Sequence, residues 1–314
     1  MSAGPRPTPA SSSSLAPAAR KRSRSRLIHQ WSDLFYSFTR RRLAVAGALV
    51  FGLILILSVA APWIAPHNPN SQDLSLTLLP PAWSQDGDPR YLLGTDHFGR
   101  DIVSRLLYGA NVSLRAASSA ALFALVIGVL IGLIAGFYGG LVESLLMRVV
   151  DIFLAFPLIL LALALAAILK PSLRSIILVM GLTGWMVYAR VIRSAVVTIK
   201  TQEYVSAAVS TGASSMRILF VHVLPNIVAP ALVLFTFGFA QFIIMESALS
   251  FLGLGVPPPT PTWGRMLNDG RDYLTIAPWI ITFPGLSIML AALCLNFVGD
   301  GLRDALDPRL RRLA

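Results

Sequence analysis

The chain has 314 residues, of which 55% are apolar and 13% are charged, and its mean hydropathy is +0.69. Soluble globular domains carry about 25% charged residues, so this composition excludes an ordinary soluble protein and indicates a polytopic membrane protein. The single cysteine, Cys294, excludes an intrachain disulfide and a cysteine-based zinc site.

The net charge of +11 is concentrated at the amino terminus, where residues 1–42 contain nine Lys and Arg residues and one acidic residue, Asp33. Nucleic-acid binding is one explanation of such a charge. A basic tail that runs directly into an apolar segment is more simply a cytoplasmic anchor beside anionic lipid. We therefore predict a lipid bilayer and no nucleic acid as a partner. Residues 1–42 are predicted to be disordered, apart from a short amphipathic run at 27–38.

Six apolar segments predict an all-α fold with six transmembrane helices. They are residues 43–64, 116–137, 149–169, 175–188, 227–251 and 278–298. The basic amino terminus, central loop and carboxyl terminus place both chain ends in the cytoplasm. Cleavage as a signal peptide is the alternative for the first segment, because Ser58-Val59-Ala60 resembles a cleavage site, but the apolar run continues beyond it.

The spans divide the chain into five regions. They are the tail 1–42, the first span 43–64, an extracytoplasmic loop 65–113, a five-helix core 114–299 and a cytoplasmic tail 300–314. The core contains a central cytoplasmic loop at 203–226 and an outside loop at 252–277. The fourth span is predicted to continue as a helix beyond the membrane through Lys200.

The second and third spans carry distinctive packing signals. A glycine face in the second span predicts close helix packing. Its members recur every four residues, at Gly128, Gly132 and Gly136. In the third span we expect an ion pair between Arg148 and Asp151 at the helix start and an interruption at Pro157.

The central loop reads EYVSAAVSTGASSMRILFVHVLPN, and its apolar residues recur at helical spacing. We predict two short amphipathic helices that are joined by a glycine elbow at Gly212 and ended by Pro225. The small side chains of Ala207 and Ala208 would allow another protein to approach the backbone closely. An amphipathic interfacial loop without a docking role is the alternative interpretation.

This loop resembles the EAA loop of bacterial ABC-importer permeases. The matching residues are Ser206, Ala207 and Ala208, then Gly212, then Leu224 and Pro225. The resemblance implies that the loop is the coupling helix, which docks in a cleft of an ATP-hydrolysing subunit. Ser206 stands where the family has glutamate, and Glu203, one helical turn earlier, is a candidate for supplying that carboxylate.

A second segment, LGTDHFGRDIVSRLLYGANVSL at 93–114, predicts a short helix on the membrane surface with an i,i+4 pair between Asp101 and Arg105. It resembles LGTD-x-x-GRD-x-x-SRLLYG of the C-type subunit of dipeptide and oligopeptide permeases. The motif residues here are Gly94, Thr95, Asp96, Gly99, Arg100 and Asp101. The segment SFLGLGVPPPTPTWGRMLNDGRDYL at 250–274 resembles the same subunit.

The resemblance implies a C-type inner-membrane permease subunit of a bacterial dipeptide/oligopeptide ABC importer. Its partners would be a homologous second permease, two cytoplasmic ATPase subunits and an extracytoplasmic substrate-binding protein. ATP and magnesium would bind the ATPase subunits, since none of Lys21, Lys170 and Lys200 lies in a G-x-x-x-x-G-K-[ST] loop. The sequence also has no catalytic motif and no metal-ligand cluster, so we predict a transport subunit that is not itself an enzyme.

Glu246, in the fifth span, is a candidate for lining the pathway or holding the outer gate, because a carboxylate at membrane depth is costly. Trp263, in the outside loop, is grouped with it. The alternative is an interfacial carboxylate that is hydrogen-bonded to Ser247 or to a helix end. The competing function is a stand-alone secondary transporter or channel for small solutes, which would need coupling carboxylates deep in the spans. A membrane scaffold without transport is a third class.

Overall fold

The computed structural model describes residues 37–306. The predicted disordered tail and its amphipathic run lie almost entirely outside the described residues, as does the end of the predicted carboxyl-terminal tail. Within the described part the fold is all-α, as predicted, with one isolated β-bridge between Thr95 and Asp101. Five helices are long and apolar enough to cross a membrane, or six if a bent pair forms one span.

We number the helices in chain order. They are α1 (Arg42–Ile64), α2 (Ile102–Tyr138), α3 (Gly140–Leu154), α4 (Leu158–Ile168), α5 (Leu173–Lys200), α6 (Glu203–Ser210), α7 (Ser215–Phe251), α8 (Trp263–Gly270) and α9 (Trp279–Leu306). Helix α7 contains a π-helical segment, Ile218–Val223, before its long α-helical part, Leu224–Phe251. Short 3-10 turns occur at Leu74–Leu76 and Arg271–Tyr273.

The predicted surface helix in the first outer loop is wrong, because α2 is one continuous helix of 37 residues from Ile102 onward. At 1.5 Å per residue it is about 55 Å long, so it extends well beyond an apolar layer of about 30 Å. Asp101 does not pair with Arg105. Its carboxylate instead caps the helix by accepting a hydrogen bond from the Ser104 backbone nitrogen at 2.8 Å.

The predicted third span is two helices, α3 and α4, with axes bent by 84°. The break falls at Pro157, as predicted, because proline cannot donate the backbone hydrogen bond that a continuous helix requires. Helix α3 begins at Gly140, nine residues before the predicted start of the third span at 149. The expected pair between Arg148 and Asp151 is also wrong: Asp151 pairs with Arg190 on α5.

The glycine face of α2 packs closely against another helix, as predicted, and the structure shows that this helix is α5. A Cβ atom on Gly132 would lie 2.5 Å from the Ala189 carbonyl oxygen, and one on Gly136 would lie 2.9 Å from the Arg193 carbonyl oxygen. Contacts this close between helix backbones require glycine. Fully buried alanines extend this face of small residues toward the start of α2. They are Ala116, Ala117, Ala120, Ala121 and Ala124.

Helix α5 confirms the predicted extension of the fourth span, since it runs without interruption from Leu173 to Lys200. At its end the Lys200 ammonium donates to the Phe137 carbonyl oxygen at 2.5 Å. This contact satisfies an open carbonyl at the carboxyl end of α2. The carboxyl ends of α2 and α5 are therefore held together beside the central loop.

Candidate functional site: the coupling segment and the outer cluster

The central loop contains one separate short helix, α6, which confirms the first of the two predicted helices. Three of its predicted site residues, Glu203, Ser206 and Ala207, are exposed, and Ala208 is half-buried. The three exposed side chains lie on a surface of α6 that the rest of the described chain leaves open. Glu203 and Ser206 are one helical turn apart, so their side chains lie on neighbouring positions of one face.

Helix α6 ends at the predicted glycine elbow. Gly212 has a φ of +79°, which favours glycine. Its backbone nitrogen donates to the Val209 carbonyl oxygen at 2.9 Å, and the Ala213 nitrogen donates to the Ala208 carbonyl oxygen at 3.0 Å. This pair of hydrogen bonds is a Schellman motif, which closes the helix and fixes the direction of the following chain.

The second predicted helix does not end at Pro225. Helix α7 begins at Ser215 and continues through the π-helical segment and Pro225 as far as Phe251. Proline lacks a donor, but the wider turn immediately before it already departs from the regular α-helical hydrogen-bond pattern. The central loop is therefore joined directly to the fifth span. Leu224 is half-buried there and Pro225 is exposed.

An apolar cluster fastens α6 to the long helices. Val205 is 3% exposed and packs in a buried group with residues of α2, α5 and α7. The other buried members are Leu133, Ile192, Val196, Ile218, Val223 and Ile227. The Tyr204 and His222 rings add a second contact, with centroids 6.2 Å apart. Helix α6 thus has one exposed face and one face that packs firmly against the long helices.

The outer-loop motif folds into a tight, buried structure before α2. Gly94 and Gly99 have φ values of +81° and +69°. The Thr95 hydroxyl donates to the Leu76 carbonyl oxygen at 2.5 Å and accepts from the Leu79 backbone nitrogen at 2.9 Å. The motif residues therefore shape the loop through backbone contacts.

A buried ion cluster joins this motif to α8. The Asp96 carboxylate lies 2.6 Å from Arg100 Nε and 3.4 Å from Arg105 Nε. Asp269 of α8 lies 3.2 Å and 3.5 Å from the same two guanidinium groups, and 2.9 Å from Arg265. Both arginines that come from the first loop and α2 are nearly fully buried. Burial of these charges is tolerated because each lies within hydrogen-bond reach of an opposite charge.

Asp269 and Arg265 are functional candidates that the sequence reasoning missed. The signal was present, since the two residues are four apart in WGRMLNDG and occupy one face of a short helix. Beside them, the His97 ring stacks on Tyr273 with centroids 5.3 Å apart. Burial lowers the pKa of His97 below its ordinary value, so its ring is neutral at neutral pH.

Glu246 and Trp263 lie on adjoining elements at the junction of α2, α7 and α8. Glu246 is completely buried, and its Oε1 atom accepts a hydrogen bond from Ser250 at 2.7 Å. Ser250 lies one turn later on the same helix, near its carboxyl end. Trp263 is 2% exposed, and its indole donates to the Leu106 carbonyl oxygen at 3.1 Å. A role of either residue in a gate stays a prediction.

The sequence was compared with known proteins. Residues 128–312 match the family described as binding-protein-dependent transport system inner membrane component. The chain belongs to that family. Residues 29–81 match the N-terminal transmembrane domain of oligopeptide transport permease C. The predicted resemblance to a C-type permease and the predicted inner-membrane location are thereby confirmed.

Curated relatives cover almost the whole chain. The di/tripeptide transport system permease protein DppC of Pseudomonas aeruginosa (strain UCBPP-PA14) is 44% identical over 282 residues, which are 90% of this chain and 93% of the relative. The dipeptide transport system permease protein DppC of Escherichia coli (strain K12) is 45% identical over 280 residues, or 89% and 93%. A dipeptide permease of Haemophilus influenzae is 40% identical over 280 residues, or 89% and 95%.

Proposed function

We propose that the chain is the transmembrane permease subunit of an ATP-driven importer of dipeptides and oligopeptides. The observation that carries this proposal is α6, an exposed short helix that is packed firmly against three long helices. A helix of this kind suits the transmission of force from a separate protein. The relatives named for dipeptide and di/tripeptide transport support the choice of substrate.

The proposed mechanism is alternating access driven by two cytoplasmic ATPase subunits. One of them docks on α6 through the exposed face that includes Glu203, Ser206 and Ala207. ATP binding closes the ATPase pair and displaces α6, and hydrolysis resets it. Because Val205 is buried among α2, α5 and α7, these helices move with α6 and reorient the pathway. ATP and magnesium bind on the partner subunits.

This mechanism places α6 and both chain ends in the cytoplasm and the ion cluster outside. A homologous second permease completes the enclosure of the pathway. The loop around Asp96 and helix α8, held together by Arg100, Arg105 and Asp269, is the rigid surface that receives an extracytoplasmic substrate-binding protein. Trp263 and Glu246 lie under this surface and hold the outer gate closed by fixing α8 to α2 and α7.

Co-purification tests the proposal directly. The tagged chain is expressed together with the second permease and the ATPase subunits and is purified in mild detergent. ATP hydrolysis by the purified material is then measured. We expect a four-subunit membrane complex that hydrolyses ATP and, in liposomes, takes up labelled dipeptide when the loaded binding protein is present outside. A chain that purifies without a nucleotide-hydrolysing partner, or a complex that takes up no peptide, would refute the proposed function.

A further inference from the structure

An exposed amide lies near the middle of the fifth span. Gln241 precedes the carboxyl end of α7 at Phe251 by about 15 Å of helix, which is half of an apolar layer of about 30 Å. Its side chain is exposed and has no hydrogen-bond partner in residues 37–306. The other polar side chains between 227 and 251 are buried. Since lipid cannot satisfy an amide, Gln241 must face a wet space or another molecule.

A cavity of about 320 Å³ opens beside this amide, between α4, α5 and α7. Its volume lies within the usual range of about 300–1,000 Å³ for small-ligand sites. Its walls carry no charged side chain. Besides Gln241 they include Leu158, Thr183, Tyr188, Phe237, Gly238 and Met245.

The Tyr188 side chain lines the same cavity, but its hydroxyl is packed behind the wall and is closed to it. The side chain is 4% exposed, and its hydroxyl has no hydrogen-bond partner among the described residues. Gly238, one turn before Gln241, makes room for this hydroxyl, because a Cβ atom there would lie 1.6 Å from the oxygen. Among the described lining residues, the Gln241 amide is therefore the accessible polar group without a partner, since the Thr183 hydroxyl donates to the Val179 carbonyl oxygen at 2.9 Å.

We propose that this cavity is a weak binding station for the peptide in transit, in which Gln241 hydrogen-bonds to a peptide amide group. The inference rests on the proposed peptide-import function. A backbone amide offers one donor and one acceptor, and the Gln241 carboxamide, which has both donors and an acceptor, complements that pair. Uncharged apolar walls accept side chains of either charge sign or none without trapping them. Weak binding suits transport because a bound substrate must also leave.

Thiol labelling tests whether Gln241 faces a wet pathway in the assembled complex. Gln241→Cys and Ile56→Cys are prepared with Cys294→Ser; position 56 is an exposed apolar site on α1. A membrane-impermeant charged thiol reagent is expected to react with the cysteine at 241 at least tenfold faster than with the one at 56. Transported dipeptide is expected to slow that reaction. Equal rates at both positions, or no labelling at 241, would overturn the proposal in favour of lipid or a partner helix.

Transport measurements test the hydrogen bonds themselves. Gln241→Leu removes the amide with little change in size and is expected to lower dipeptide uptake in liposomes about three- to tenfold. Thr236→Val is the matched control, because this hydroxyl lies on α7 but is buried outside the cavity and donates to the Val233 carbonyl oxygen at 2.8 Å. Its uptake should equal that of the wild type.

The outcomes separate this inference from the function on which it rests. Wild-type complex that takes up no peptide would refute the function itself. Wild-type uptake that Gln241→Leu leaves unchanged would refute the binding station alone. Loss of the second permease from purified Gln241→Leu complex would assign this face to a partner helix and would also overturn the station.

Discussion

Gly132 of α2 lies directly against the backbone of Ala189 in α5, where a Cβ atom would come within 2.5 Å of a carbonyl oxygen. This contact lies between the outer ion cluster and the central loop. Helix α2 begins beside that cluster, and only two residues separate the end of α5 from the start of α6. A tight contact between the two helices therefore makes them one stiff unit. Such a unit can carry a displacement of α6 to the opposite side of the membrane.

Replacing Gly132 by alanine is expected to destabilise the protein. In most helix positions this change is stabilising, since alanine is the better helix former by about 1 kcal/mol. Here the added methyl group meets backbone, and overpacking costs about 1–3 kcal/mol. Gly52→Ala is the matched control, because nothing lies within 4 Å of a Cβ atom there. In detergent, the thermal unfolding midpoint should fall for Gly132→Ala and hold or rise for Gly52→Ala; the same fall in both would contradict the packing argument.

Asp269→Asn is expected to loosen the outer loop. The change removes the charge that faces Arg100, Arg105 and Arg265, and loss of one partner from a buried ion group costs about 3–5 kcal/mol. Limited proteolysis should then cleave the segment 65–101 much faster than in the wild type. Asp272→Asn is the control, since its carboxylate is exposed and such surface pairs contribute about 0–1 kcal/mol. Equal cleavage of the Asp269→Asn variant and the wild type would show that the cluster does not hold the loop.

Trp263→Ala tests the proposed outer gate. Truncation of a buried tryptophan costs about 3–5 kcal/mol, and here it also removes the hydrogen bond to Leu106 that ties α8 to α2. If α8 closes the gate, proteoliposomes with this variant should leak a small dye without ATP. Trp83→Ala removes an equally large but exposed ring and should not leak. An unstable Trp263→Ala complex that stays tight would assign the tryptophan a purely structural role.

Local patterns in the sequence predicted the parts of the fold that neighbouring residues determine. Four-residue glycine spacing identified the face of α2 that packs against α5, and Gly212 was recognised as an elbow from the break in the apolar pattern. Both signals depend only on residues within two or three helical turns. The extension of α5 to Lys200 followed in the same way from continued helical spacing.

Features that depend on distant residues were not predicted. Arg105 was paired with Asp101 because they are four residues apart, yet its partners include Asp269, which is 164 residues away. Pro225 was expected to end a helix because proline cannot donate a backbone hydrogen bond. The sequence pattern does not reveal the π-helical turn before it, through which the helix continues. The bend between α3 and α4 was anticipated as an interruption at Pro157, but its angle of 84° depends on tertiary packing.

The decisive variant for coupling is Gly212→Val. At a φ of +79° a β-branched residue strains the backbone by about 1–2 kcal/mol, enough to shift a two-state equilibrium about five- to thirtyfold. The elbow is exposed and nothing lies within 4 Å of a Cβ atom there. The strain should therefore change the direction of α6 and leave the packing of the core unchanged. We expect assembled complex that still hydrolyses ATP but takes up peptide at least fivefold more slowly per ATP.

Gly253→Val separates loss of coupling from general backbone strain. Gly253 has a φ of +83° and equally open surroundings, but it lies in the outside loop, far along the chain from α6. The same strain is therefore introduced without moving the coupling helix. The ratio of peptide uptake to ATP hydrolysis should stay near the wild-type value. If both variants lower that ratio equally, the elbow has no specific part in coupling; if only Gly212→Val lowers it, α6 acts as the lever.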